Sequence, residues 1–173
     1  MDAVCSILVI DDSQEVCDVV ARAYNGPDHQ VDIVNNEKDA LDKIRFRHYD
    51  FIMIDLMLHG TRPDIRVSET SGYNFLRQTD TNGSMVIVMT GLAVTSKDRA
   101  LLLSAGALWI LEKPMDMVEL DATIDRGIRH RRQLRLDFKA DAKSPHDAVT
   151  AKELYYMSKK RRTTHLHQDK AAV

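Results

Sequence analysis

Residues Tyr49 to His59 read Y-D-F-I-M-I-D-L-M-L-H. The apolar run from Phe51 to Ile54 suits a strand buried on both faces of a parallel sheet, where the polar-apolar alternation of a half-exposed strand disappears. A single carboxylate, Asp55, stands where that strand must end. An acid at that place calls for an explanation, and the rest of the chain has to supply it.

Outward from this strand, apolar runs alternate with helical periodicity. Ser6 to Ile10 reads as a first strand ending in Asp11 and Asp12. Ser13 then N-caps a helix to about Tyr24, with Val16, Val20 and Ala23 on one face and Gly26-Pro27 stopping it. Val31 to Val34 is a short second strand. Glu37 to about His48 is a second helix with Ala40, Leu41 and Ile44 facing inward. Beyond Asp55 comes a long polar loop, then a short helix from Ser71 carrying Phe75 and Leu76. Met85 to Met89 is a fourth strand ending in Thr90-Gly91. Thr95 or Ser96 caps a helix with Ala100, Leu101 and Leu103, closed by Gly106. Leu108 to Leu111 is a fifth strand ending in Glu112-Lys113-Pro114, and a last helix starts at Asp116 with Asp-x-x-Glu spacing to Glu119.

This alternation predicts an α/β fold, a doubly wound five-stranded parallel sheet with right-handed crossovers placing helices on both faces. Ligands in such sheets bind outside the carboxyl ends of the strands. The polar residues fall at those ends: Asp11 and Asp12, Asp55, Thr90 and Lys113. Taken singly, each has an ordinary reading as a turn former, a helix cap or a strand threonine. Together they converge on one rim.

The ordered set D-D, central D, T-G and K-P resembles the receiver domain of bacterial two-component response regulators, over about residues 4 to 130. The resemblance implies the flavodoxin-like strand order 2-1-3-4-5, which sets the first and third strands side by side. It also implies a cis Lys113-Pro114 bond, at a residue type where cis is accessible. Three neighbouring carboxylates repel one another, so either their pKa values rise or a hard cation neutralises them. Mg2+ fits, since it takes oxygen ligands and bridges carboxylate and phosphate oxygens. By position, Asp12 and Asp55 are assigned as direct ligands, the backbone carbonyl of Met57 as a third, and Asp11 as a ligand through water. Asp55 is the expected phosphoacceptor, forming an acyl phosphate, while Thr90 and Lys113 meet the phosphoryl oxygens.

Two departures from the family stand out. The aromatic switch residue expected three positions before the lysine is Ile110, with Trp109 one place earlier and therefore on the opposite strand face. The loop after Asp55 is also enlarged. His59 stands where the family has proline, and the glycine opening the third helix is Gly72, so the segment from His59 to Ser71 holds an insertion of a length uncommon in structureless loops. Arg62 and Arg66 in it either steer a phosphodonor or clasp a partner, or are solvated loop charges. His59 is a candidate second phosphoryl or metal group, or an ordinary loop residue. Met57 and Leu92 flank the approach of water to the phosphoryl group, and neither can orient a hydrolytic water.

The net charge of -2 is unevenly distributed. Residues 1 to 125 carry 11 Lys+Arg against 21 Asp+Glu, whereas residues 126 to 173 carry 13 against 5. The chain reads as an acidic receiver domain, residues 1 to 130, with a basic, partly helical extension, residues 131 to 173, in which Ala148 to about Arg162 is a candidate helix. The extension is short for the usual DNA-binding output domain and shows no helix-turn-helix pattern or zinc-ligand spacing. Its run Lys159-Lys160-Arg161-Arg162 is compatible with nucleic-acid phosphates, but a solvated tail or a dimerisation and docking arm is the favoured reading. No apolar stretch approaches the roughly 20 residues of a membrane span, and the start M-D-A-V-C-S lacks a signal-peptide n-region. With only Cys5 and Cys17, both in apolar surroundings, nothing suggests a disulfide scaffold, and a cytoplasmic protein is expected. The expected partners are a sensor histidine kinase or histidine phosphotransfer protein, and a second copy of the chain in a phosphorylation-dependent homodimer. The expected role is not that of an enzyme with a separate substrate, but of a protein that catalyses its own phosphorylation and dephosphorylation.

Overall fold

The computed structural model describes residues 4–60 and 64–141. Strands and helices alternate along them as β1 (Cys5–Ile10), α1 (Gln14–Tyr24), β2 (His29–Val34), α2 (Glu37–Phe46), β3 (Phe51–Asp55), α3 (Ser71–Gln78), β4 (Met85–Thr90), α4 (Ser96–Ser104), β5 (Ala107–Glu112) and α5 (Met117–Asp141). The strands form one parallel sheet in the order β2-β1-β3-β4-β5, as expected from the sequence. The chain divides inside α5 into two units, Met1–Thr123 and Ile124–Val173, and the sheet belongs wholly to the first.

Residue type explains most of the local structure. Every residue of β3 is buried, as are all of β4, because helices cover both faces of the sheet. Side chains close the helix starts, with the Ser13 hydroxyl accepting from Val16 N–H, Asn36 from Asp39 N–H and Thr70 from Tyr73 N–H. At α4, Thr95 and Asp98 complete a reciprocal capping box. Thr95 is thus the cap of the Thr95-Ser96 pair.

The differences from the expected elements have physical causes. β2 begins two residues early, at His29, because its ladder with β1 continues to the Cys5 pair beyond the apolar run. α2 ends at Phe46, since Arg47 turns extended and donates to Asp32 at 2.9 Å and Gln30 at 2.7 Å, leaving Phe46 88% exposed. The buried stripe of α1 is Cys17, Val20 and Tyr24 rather than Val16, Val20 and Ala23, and the Tyr24 hydroxyl donates to Asp121. In α4 the buried leucine is Leu102, while Ala100 and Leu103 face solvent. β5 opens at Ala107, and its register against β4 slips by a residue between Ala107 and Trp109, a bulge at Leu108.

The enlarged loop after β3 is not structureless. Val67–Glu69 makes a 3-10 turn with Val67 buried, and Ile65 packs against the core. Its ends are pinned together: Leu58 N–H donates to the Ser71 hydroxyl at 3.1 Å, and Gly72 N–H donates to Leu56 O at 3.1 Å. Gly72 is obligatory there, because a Cβ would lie 2.1 Å from Asp55 O and 2.8 Å from Leu56 Cα. Of the second unit, the helical residues carry an exposed Arg129–Asp125 pair at 4.0 Å, and the candidate helix from Ala148 lies outside the described residues.

Candidate functional site

Strand register brings the site together. Ile10 pairs with Ile54, so Asp11 and Asp55 leave β1 and β3 at one level. Asp55 pairs with Met89, which puts Thr90 one step further along β4, and Thr90 in turn pairs with Glu112, immediately before Lys113. Lys113 N–H donates to Thr90 O at 2.7 Å, which fixes the end of β5 to the end of β4. The Lys113-Pro114 peptide is cis.

Ligand atoms of Asp11, Asp12 and Asp55 lie within 4.8 Å of one another. Asp11 and Asp55 are buried, at 1% and 6% exposure, while Asp12 is open to solvent. Lys113 Nζ donates to Oδ2 of Asp11 at 2.7 Å and to Oδ2 of Asp55 at 3.0 Å. Sequence reasoning placed this ammonium toward an incoming phosphoryl group, but it also neutralises the acids themselves. The signal was available in principle, since two buried acids on adjacent strands call for a cation.

The electrostatics follow from burial and this pairing. Burial raises the Asp11 carboxyl above its ordinary value, and hydrogen bonds from Lys113 and Ser13 N–H hold that rise back. For Lys113, burial lowers the ammonium, but the hydrogen bond to Asp11 and the charge of Asp55 outweigh it and leave it raised. Both Asp11 oxygens are engaged, Oδ1 by Ser13 N–H at 2.9 Å and Oδ2 by Lys113. Asp55 is different: its Oδ1 is the only buried side-chain polar atom without a hydrogen-bond partner among the described residues. An orphaned carboxylate oxygen in the interior is costly and calls for an explanation.

The remaining residues are close by in the fold but differ in their contacts. Thr90 is fully buried, and its hydroxyl accepts from Leu92 N–H at 3.0 Å, which leaves its own hydrogen to donate. Met57 is buried in the segment leaving β3, and Leu92 is half-buried after β4. Ile110 is buried and Trp109 half-buried. Cys17, whose thiol burial pushes up to about 11, donates its S–H to Asp11 O at 3.4 Å and packs as a small apolar residue. His59 does not face the acids: its Nε2 meets Glu37, 3.0 Å from Oε1 and 2.9 Å from Oε2. Next to it, Gly60 N–H donates to Oδ2 of Asp12 at 3.1 Å. Glu37 and Gly60 were not singled out from sequence, because only the folded loop brings them to the rim.

Comparison with known proteins agrees with this fold. The family profile of the response regulator receiver domain matches residues 7–125. The transcriptional regulatory protein ZraR of Escherichia coli O157:H7 is 28% identical over 168 residues, which are 96% of this chain and 34% of that protein. Response regulator ArlR of Staphylococcus saprophyticus is 29% identical over 130 residues, covering 75% of this chain and 55% of its own length. Among solved structures, a CheY-like response regulator receiver domain protein from Methanospirillum hungatei has a TM-score of 0.62 at 21% identity, over 76% of this chain and 98% of that one. The structural likeness speaks for the fold alone, and the chain spans about a third of the length of the first relatives it matches. No helix among the described residues is long and apolar enough to cross a membrane. The profile runs from the middle of β1 into α5 and takes in all five strands and every acid of the rim, so the chain belongs to the response regulator receiver domain family of two-component systems.

Proposed function

We propose that Asp55 accepts a phosphoryl group from a sensor histidine kinase or a histidine phosphotransfer protein, and that the chain signals through altered protein-protein or dimer contacts. The observation that carries this is the orphaned Oδ1 of Asp55, buried beside two more acids and an ammonium. A carboxylate oxygen of Asp55 forms a bond to phosphorus as the bond from phosphorus to the donor histidine nitrogen breaks. That electron pair stays on the nitrogen, which takes up a proton from solvent. Lys113, already in contact with Asp55, and the hydroxyl hydrogen of Thr90 would meet charge on the phosphoryl oxygens.

The donor set suits a hard divalent cation: all oxygen, three carboxylates, one of them orphaned. In this reading Asp12 and Asp55 and the Met57 carbonyl hold Mg2+, and Asp11, with both oxygens engaged, acts through water. Bound there, Mg2+ would supply positive charge that offsets the repulsion of the acids and of the phosphoryl oxygens. The chain thereby promotes its own phosphorylation, and loss of phosphate from Asp55 takes place at the same site. We place it in the cytoplasm, with residues 1 to 130 as the phosphoacceptor domain and 131 to 173 as a basic extension.

The test is incubation of the full chain with acetyl phosphate and Mg2+, followed by intact mass and hydroxylamine lability. Labelling that persists in Asp55→Asn, or fails in the native chain, overturns the reading. A second reading is favoured by the excess of 13 basic over 5 acidic residues from 126 onward, and by the transcriptional role in the name of ZraR: a tail that binds nucleic acid under phosphorylation control. Salt-dependent gel shifts with the full chain and with a chain ending at Arg126 separate the two, since no binding at low salt eliminates it.

A further inference from the structure

The enlarged loop begins with contacts that serve neither the core nor the loop itself. His59 and Gly60 leave β3 in opposite roles: the imidazole reaches across to Glu37, the first residue of α2, with both carboxylate oxygens within 3.0 Å of Nε2. The next backbone N–H donates to Oδ2 of Asp12 at 3.1 Å. Gly60 holds φ +80, a left-handed conformation that favours glycine, and among the described residues no atom beyond its chain neighbours lies within 4 Å of where its Cβ would be. The glycine is therefore explained by backbone direction and not by crowding. That direction aims an N–H at the one acid of the cluster that faces solvent.

A solvent-facing aspartate samples several rotamers, and ordering it opposes binding of a cation. Asp11 and Asp55 are immobilised by burial and by Lys113, but Asp12 is not. The Gly60 N–H takes one of its oxygens and leaves the other free. Glu37 is itself held at the head of a capped helix, with Asn36 accepting from Asp39 N–H at 2.9 Å. A fixed helix end thus holds His59, His59 holds the chain at Gly60, and Gly60 orients the exposed ligand.

We propose that Glu37 and His59 are positioning residues that prepare Asp12 for a divalent cation through the Gly60 N–H. This rests on the reading of Asp11, Asp12 and Asp55 as a Mg2+ site. Neither residue touches the cation, so their effect is on its affinity.

The experiment is calorimetric titration of Mg2+ into the full chain and its variants, with thermal melting in EDTA alongside. His59→Ala and Glu37→Ala are expected to weaken Mg2+ binding by about three- to fivefold, the scale of one exposed polar contact, and the double variant by no more than either alone. His59→Gln, which keeps an N–H donor near the Nε2 position, is expected to recover native affinity, whereas a merely structural role predicts no such rescue. Melting in EDTA is expected to stay within a few degrees of native for all three single variants. With Asp12→Asn as control, failure of the native chain to take up Mg2+, or unchanged uptake by Asp12→Asn, overturns the metal-site reading and this proposal with it. If native binds, Asp12→Asn does not, and His59→Ala binds as tightly as native or tighter, the positioning role alone is overturned. Additive losses in the double variant overturn it as well.

Discussion

Lys113 Nζ lies 3.0 Å from Oδ2 of Asp55, and the same ammonium donates at 2.7 Å to Asp11. The cation that faces the proposed phosphoryl group is thus also what lets two buried acids coexist in its absence. Lys113→Met is therefore expected to act twice. In urea unfolding with EDTA it lowers stability by about 2–4 kcal/mol, since it strands buried carboxylates, and added Mg2+ recovers part of that loss. It also slows labelling by acetyl phosphate more than tenfold, for want of charge at the phosphoryl oxygens. Native stability in EDTA would show that the pair does not matter to the fold.

Gly72 connects the enlarged loop to the end of β3 that carries Asp55. Its N–H donates to Leu56 O, and a Cβ would stand 2.1 Å from the Asp55 carbonyl oxygen, a backbone atom that cannot swing away. Gly72→Ala must then push the start of α3 off the end of β3. The expected cost is about 2–3 kcal/mol, the range for forcing extra volume into packed structure. Because the displaced backbone carries Asp55, labelling by acetyl phosphate should fall even at temperatures where the variant is fully folded. A variant that melts like the native chain and labels at the native rate removes Gly72 from the site's framework.

At the opposite end of the sheet, Tyr49 OH donates to Oδ2 of Asp32 at 2.5 Å, and Arg47 and Lys43 share that carboxylate. Burial, then the hydrogen bond and charge of Asp32, raise the phenol above its ordinary 10.0. A raised pKa means that the folded state holds its proton more tightly than the unfolded one. The contribution to stability is complete below pH 10 and is lost as pH rises through the folded pKa. Urea midpoints measured from pH 8 upward should fall more steeply above pH 10 in the native chain than in Tyr49→Phe. Parallel curves would remove Tyr49 as a source of alkaline sensitivity.

Periodicity and punctuation made the sheet legible: the run Phe51 to Ile54, the caps Ser13 and Thr95, and the strand-end polar residues marked four strands, two helices and a common rim. Parallel register then set Asp55 beside Asp11 without further information. Less legible was whatever depends on pairing. Helix faces were off by a residue in α1 and α4 because a cysteine and a tyrosine, or three consecutive leucines, do not announce which side is buried. The ladder carried β2 past its apolar run, and the Arg47 contact with Asp32 ended α2 early. The Glu37, His59 and Gly60 contacts belong to the same class, since no spacing in the sequence brings residue 37 to residue 59.

If Asp55 carries a phosphoryl group as proposed, Met57 and Leu92 bear on how long it is kept. Met57 is 8% exposed beyond Asp55, and Leu92 is half-buried, with its N–H held by the Thr90 hydroxyl. A water attacking an aspartyl phosphate needs a donor or acceptor to orient it, and neither side chain has one to offer. The phosphorylated chain, freed of phosphodonor, should therefore lose phosphate slowly, and Met57→Asn should speed that loss by about tenfold, a modest share of what a positioned polar group supplies. The rate is read by intact mass over time, in Mg2+ and again in EDTA. Equal rates for the native chain and Met57→Asn would mean that water reaches phosphorus by a path these residues do not control.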